Sequence, residues 1–142
     1  MTKEKAIRTA ANNIWTGAIT RRAAEVIDEI IDRGDAHVLL SDLIQLAKTE
    51  CESEDVAFEE VLRRLEGLAE QSRLAACVLM MHFLPIVSET YLHGVCDSIG
   101  LWIWHCESPK LTEHLRLMAQ SQTDPKYRRI FEDLVNRGSS GE

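Results

Sequence analysis

Histidine and cysteine are the side chains here best suited to hold a metal, and several gather in the second half of the chain. His93 and Cys96 stand three residues apart, on one face of a helix. His105 and Cys106 follow at the expected end of that helix, His114 lies one helix later, and His82 one helix earlier. Imidazole and thiolate are the ligands zinc prefers. His93, Cys96, His105 and His114 are therefore the candidate metal set, a helix-borne pair closed by residues from its end and its neighbour. Zinc is the cofactor such a set would take, and nothing else in the chain calls for one. The spacing fits no standard zinc module, since Cys-x-x-Cys and His-Glu-x-x-His are both missing. Packing is the competing role: Cys77 and Cys96 sit in apolar stretches, where a free thiol behaves as a small hydrophobe.

Other chemistries have less to build on. Ser88 and Glu89 lie near His93, but no Gly-x-Ser-x-Gly elbow exists. Cys96 with His93 is the one local thiol–base pair. Glu89 and His93 are four apart, outside the Glu-x-x-His spacing of helical di-iron sites. No glycine-rich loop precedes a helix to cradle phosphate. No catalytic residue is assigned, and the chain reads as a non-enzyme.

Binding surfaces are easier to find. Glu50, Glu52, Glu54, Asp55, Glu59 and Glu60 crowd one short stretch. Such a surface complements a basic partner. Trp102 and Trp104, two apart on a helix, point in roughly opposite directions. One is expected in the core and the other at the surface, where tryptophan is typical of binding hot spots. The apolar helices around them predict a homodimer or a docked protein partner. The basic pairs Arg21-Arg22, Arg63-Arg64 and Arg128-Arg129 are flanked by acids. Lys126, Tyr127, Arg128 and Arg129 make a small basic-aromatic patch, but no helix is rich enough in exposed Arg, Lys, Asn or Gln to read a groove.

The elements that must position these residues are helices. Apolar residues recur at helical spacing from Thr2 to about Thr16. A second helix starts at Thr20 as cap, buries Ala23, Ala24, Val26, Ile27, Ile30 and Ile31, and stops at Gly34. A third runs from about Ala36 to Thr49, with Ser41 and Asp42 as an alternative restart within it. A fourth runs from about Asp55 to Gln71, capped by Ser53 or Asp55. Ser72 restarts the chain, and Leu74 to Leu84 is apolar nearly all round, which predicts a central helix ended by Pro85. A sixth is expected from Ile86 to His105. Ser108-Pro109 and Asp124-Pro125 open a seventh and an eighth. No run alternates as a strand would. The fold expected is all-α: one helical domain over residues 1–137, then a flexible tail from Gly138 to Glu142.

The last two helices resemble a HEAT or armadillo repeat over residues 108–137. Leu111 to Val135 reads as helix, short polar turn, then Asp124-Pro125-Lys126-Tyr127-Arg128-Arg129-Ile130 leading into Leu134. The earlier pairs lack the Asp-Pro device. The resemblance implies helical hairpins and a protein-binding surface rather than catalysis.

Composition narrows the function further. The 142 residues are 45% hydrophobic and 27% charged, with 7 glycines and 3 prolines, as suits a helical globular domain. A net charge of -7 argues against a general nucleic-acid binder. No signal peptide is visible at Met1 to Arg8, and Leu74 to Val87 is too short for a membrane span. Four cysteines in a chain with a real core read as reduced thiols in the cytoplasm. These features together describe a small acidic helical module that acts by binding another protein, as an adaptor, inhibitor or immunity-type regulator. The alternatives are a metal-binding protein or enzyme built on the His/Cys cluster, and a nucleic-acid-associated regulator.

Overall fold

Capping residues decide where the helices begin and end. The computed structural model describes residues 2–86, 101 and 108–140, and every regular element among them is a helix. In chain order these are α1 (Lys3–Thr16), α2 (Arg21–Asp32), α3 (Ala36–Glu50), α4 (Glu54–Ala69), α5 (Arg73–Phe83), α6 (Pro109–Ser121) and α7 (Pro125–Ser140). The protein is all-α, as the apolar period predicts. The helix expected over Ile86 to His105 lies outside the described residues, apart from Ile86 and Leu101.

Thr2, Thr20, Ser53 and Ser72 each accept a hydrogen bond from the amide three residues on, at 3.1–3.3 Å, and so open α1, α2, α4 and α5. Asp124 opens α7 by accepting from the Lys126 amide at 2.9 Å. Ser108 departs from expectation: it precedes α6 but its hydroxyl caps nothing. Pro109 at the first helical position, with no amide hydrogen of its own to satisfy, marks that start instead.

Two glycines end helices in the left-handed region, Gly17 at φ 78° and Gly34 at φ 84°. At Gly34 the closure is a full Schellman motif. The Gly34 amide donates to the Ile31 carbonyl and the Asp35 amide to that of Ile30, both at 3.1 Å. Asp35 then opens α3 through its own carbonyl, which accepts from Val38 and Leu39. Its carboxylate is not a cap. It faces Arg33 at 3.4 Å and Lys3 at 3.7 Å, both through Oδ2.

The chain groups into two compact units, Met1–Leu79 and Met80–Glu142. In the first, α3 is the hub, packed by α1, α2 and α4, and α1 also meets α4. Leu39, Leu40, Leu43 and Ala47 of α3 are wholly buried, and the helices packed on it bury Ile7, Ala11 and Ile14 of α1, Ile27 and Ile30 of α2, and Phe58, Val61 and Leu65 of α4. α3 is continuous through Ser41 and Asp42. Ser41 lies on the exposed side and Asp42 is half-buried, so neither interrupts the buried stripe that holds the helix. The Ser72 hydroxyl donates to Asp28 at 2.8 Å and ties the start of α5 to α2. From Ala75 to Met81 every α5 residue is buried, the continuous burial its apolar sequence predicts. α5 ends at Phe83, two residues before Pro85.

In the second unit α6 and α7 pack against each other across the three-residue link 122–124. Leu111, Leu115, Met118 and Ala119 form the buried stripe of α6, and Phe131 and Leu134 are buried on α7. α7 runs on to Ser140, through the Gly138 at which the sequence predicts a tail. A glycine at a helix end lowers helical stability by only about 1 kcal/mol.

Candidate functional site

The acidic corner is built by the end of α3, the bend at residues 51–53 and the start of α4. Helix electrostatics explain part of it. Glu54 and Asp55 occupy the first turn of α4, where the helix dipole favours negative charge. Lys48 in the last turn of α3 faces Glu54 at 3.7 Å and stands 6.0 Å from the Phe58 ring centre. Glu50, Glu52, Glu54, Asp55 and Glu59 are all exposed. Val56 is 45% exposed among them, an apolar side chain on an otherwise charged surface.

Glu60 stands apart from the other five. It is half-buried and holds two guanidinium groups, Arg63 at 3.1 Å and Arg64 at 3.6 Å. Its carboxylate is committed to α4 itself and does not belong to the acidic surface.

Arg64 also stacks on an aromatic ring. Its guanidinium carbon lies 4.9 Å from the centre of the Trp15 indole, which bridges α4 to α1. The Arg64 Nε is buried without a hydrogen-bond acceptor. The electron-rich indole face beside it offsets part of that loss. Next to this stack a cleft of about 360 Å³ opens between the ends of α1 and α4. Ile14, Ile19 and Leu68 give it apolar walls, and Gly67 leaves one side bare.

A second cleft of about 470 Å³ lies along the α6–α7 hairpin, lined by Arg116, Gln120, Arg128, Glu132 and Asn136 over Ala119 and Val135. Arg128 is held there by donating to the Gln122 carbonyl at 2.9 Å. Of the basic-aromatic patch, Lys126 stands 5.7 Å from the Tyr127 ring centre, and Arg129 is exposed.

Trp102, Trp104, His93, Cys96 and His105 lie outside the described residues. His114 is half-buried on α6. Among the described residues no three His, Cys, Asp or Glu side chains group as metal donors. Cys77 is buried in α5, as its apolar setting predicts, Cys51 is half-buried, and neither is in a disulfide. No described helix is long and apolar enough to cross a membrane.

Sequence reasoning missed the Trp15–Arg64 stack and the cleft beside it. Trp15 reads as one more apolar residue of α1, and Arg64 as half of a basic pair. The available signals were Glu60 four residues before Arg64, and a glycine interrupting the period of α4 at position 67. Compared with known protein families, curated proteins and solved structures, the chain matches none.

Proposed function

We propose that this chain is a protein–protein interaction module, an adaptor, inhibitor or immunity-type regulator that docks a basic partner on its acidic corner. The observation that carries this reading is the set of five exposed carboxylates, Glu50, Glu52, Glu54, Asp55 and Glu59, around one helix–helix turn. Carboxylates clustered on one turn give both faster encounter and selectivity for a complementary basic surface. Exposed Val56 supplies an apolar contact within the ring of charge. Cysteines outside any disulfide, Cys51 and Cys77, suit the cytoplasm as the place where it acts. Association through Trp102 and Trp104, as a homodimer or with the same partner, belongs to this proposal as a second contact.

The test is capture of partners from native lysate at low and high salt, with the unaltered chain and with a Glu50→Lys/Glu52→Lys/Asp55→Lys variant. The reading expects a stoichiometric basic partner, lost at high salt and lost with the variant. A partner held equally by both chains at all salt concentrations would refute the acidic corner as the docking surface.

A further inference from the structure

We propose that the cleft between α1 and α4 binds a small molecule carrying one aromatic ring, stacked on the guanidinium of Arg64. Arg64 lines the cleft and Trp15 does not, although the two side chains are in contact at 4.9 Å. Arg64 thus touches both the indole and the cleft. Guanidinium is planar and stacks on aromatic faces. Trp15 lies against the guanidinium, and the proposal puts the ligand ring on the side away from it. A ring placed there completes a sandwich of indole, guanidinium and ligand. Glu60 holds the guanidinium in position at 3.6 Å, so the stacking surface is preorganised.

The remaining walls suit a flat, uncharged group. Ile14, Ile19 and Leu68 are apolar. The charges at the cleft balance, Arg63 and Arg64 against Glu60 and Glu70, which favours a neutral ring over an anion. Its volume of about 360 Å³ falls in the range of small-ligand sites.

Gly67 lines the same cleft. It lies inside the last turn of α4, where glycine weakens a helix. Neither usual reason for a glycine applies. Its φ is not positive, and a Cβ built on it would meet nothing within 4 Å. What the missing side chain does is leave the cleft open on that side. This site is distinct from the acidic corner, and its reading does not depend on the protein-docking role.

The experiment is an NMR titration of the full ¹⁵N-labelled chain with p-cresol, and in parallel with 4-methylcyclohexanol, which has similar bulk and no π face. The reporters are the Gly67 amide, the Trp15 indole N–H and the Arg64 Nε–H. The expected result is saturable p-cresol binding at those three signals, with 4-methylcyclohexanol about tenfold weaker. Arg64→Gln should weaken p-cresol by a similar factor, and Gly67→Leu should block it. Gly67→Ala, which keeps the fold with minimal added bulk, should retain binding. Shifts that stay linear with ligand, equal affinity for the two rings, or unchanged binding in Arg64→Gln would each overturn the proposal.

Discussion

Replacing Gly67 with alanine should stabilise the protein, and the structure sets how much. The residue is exposed in the last turn of α4, and the added methyl meets no atom within 4 Å. No contact is gained or lost, so the effect is conformational. Alanine in place of a helical glycine is worth about 0.5–1 kcal/mol, through fewer accessible unfolded states. Its place in the last turn puts the gain toward the lower end of that range. Helical bonding continues past it, with Ser72 donating to the Leu68 carbonyl at 2.8 Å, so Gly67 is not at a frayed end. With a slope of about 2 kcal/mol/M in urea, the midpoint should rise by about 0.3 M at constant slope. Gly17→Ala is the paired control. It too has open space around it, but its φ of 78° holds it in the left-handed region. There alanine costs about 1–2 kcal/mol, so that midpoint should fall. Urea unfolding followed by far-UV circular dichroism measures both. A lowered midpoint in Gly67→Ala, or an unchanged one in Gly17→Ala, would refute the backbone reasoning.

The other expectations concern the core and the two surfaces. Leu43→Ala removes a wholly buried side chain from the hub helix and should cost about 2–5 kcal/mol, read as the loss of urea midpoint. Ser72→Ala removes the α5 cap and the hydroxyl donated to Asp28 together, and should cost about 1–2 kcal/mol; Asp28→Ala alone, losing only the second, should cost less on the same assay. Reversing Glu50, Glu52 and Asp55 should leave the fold intact by circular dichroism, because all three are exposed, and should abolish the salt-sensitive capture that the proposed docking expects. Binding of p-cresol to the α1–α4 cleft should survive that same triple change.

What the sequence makes legible is what short-range chemistry controls. Thr20, Ser53, Ser72 and Gly34 act on amides and carbonyls within a few residues, and each marks a boundary where it was expected. Pro85 and Pro109 do the same through their rings. Buried stripes such as Ile27, Ile30 and Ile31 follow from period alone. Contacts across the fold are another matter. Glu60 reads as one acid among six, yet its pairing with Arg63 and Arg64 removes it from the surface charge. The stack of Arg64 on Trp15 joins residues 49 apart in sequence, through the packing of α1 on α4, and no local pattern encodes it. Ser41 and Asp42 show the converse, a local restart signal overridden by the leucines on either side.

Asp35 closes α2 with its amide, opens α3 with its carbonyl, and holds Arg33 and Lys3 with its side chain. One residue thus serves three neighbours, and the corner between α2 and α3 has no spare chain. Mechanically it is an elbow in which the stop of one helix and the start of the next share a single residue. The bend at residues 51–53 is closed on both sides too, by the Cys51 amide donating to the Ala47 carbonyl and the Val56 amide donating to the Ser53 hydroxyl, but there two residues share the work. A label or affinity handle spliced at Gly34 therefore uncouples two helices at a stroke.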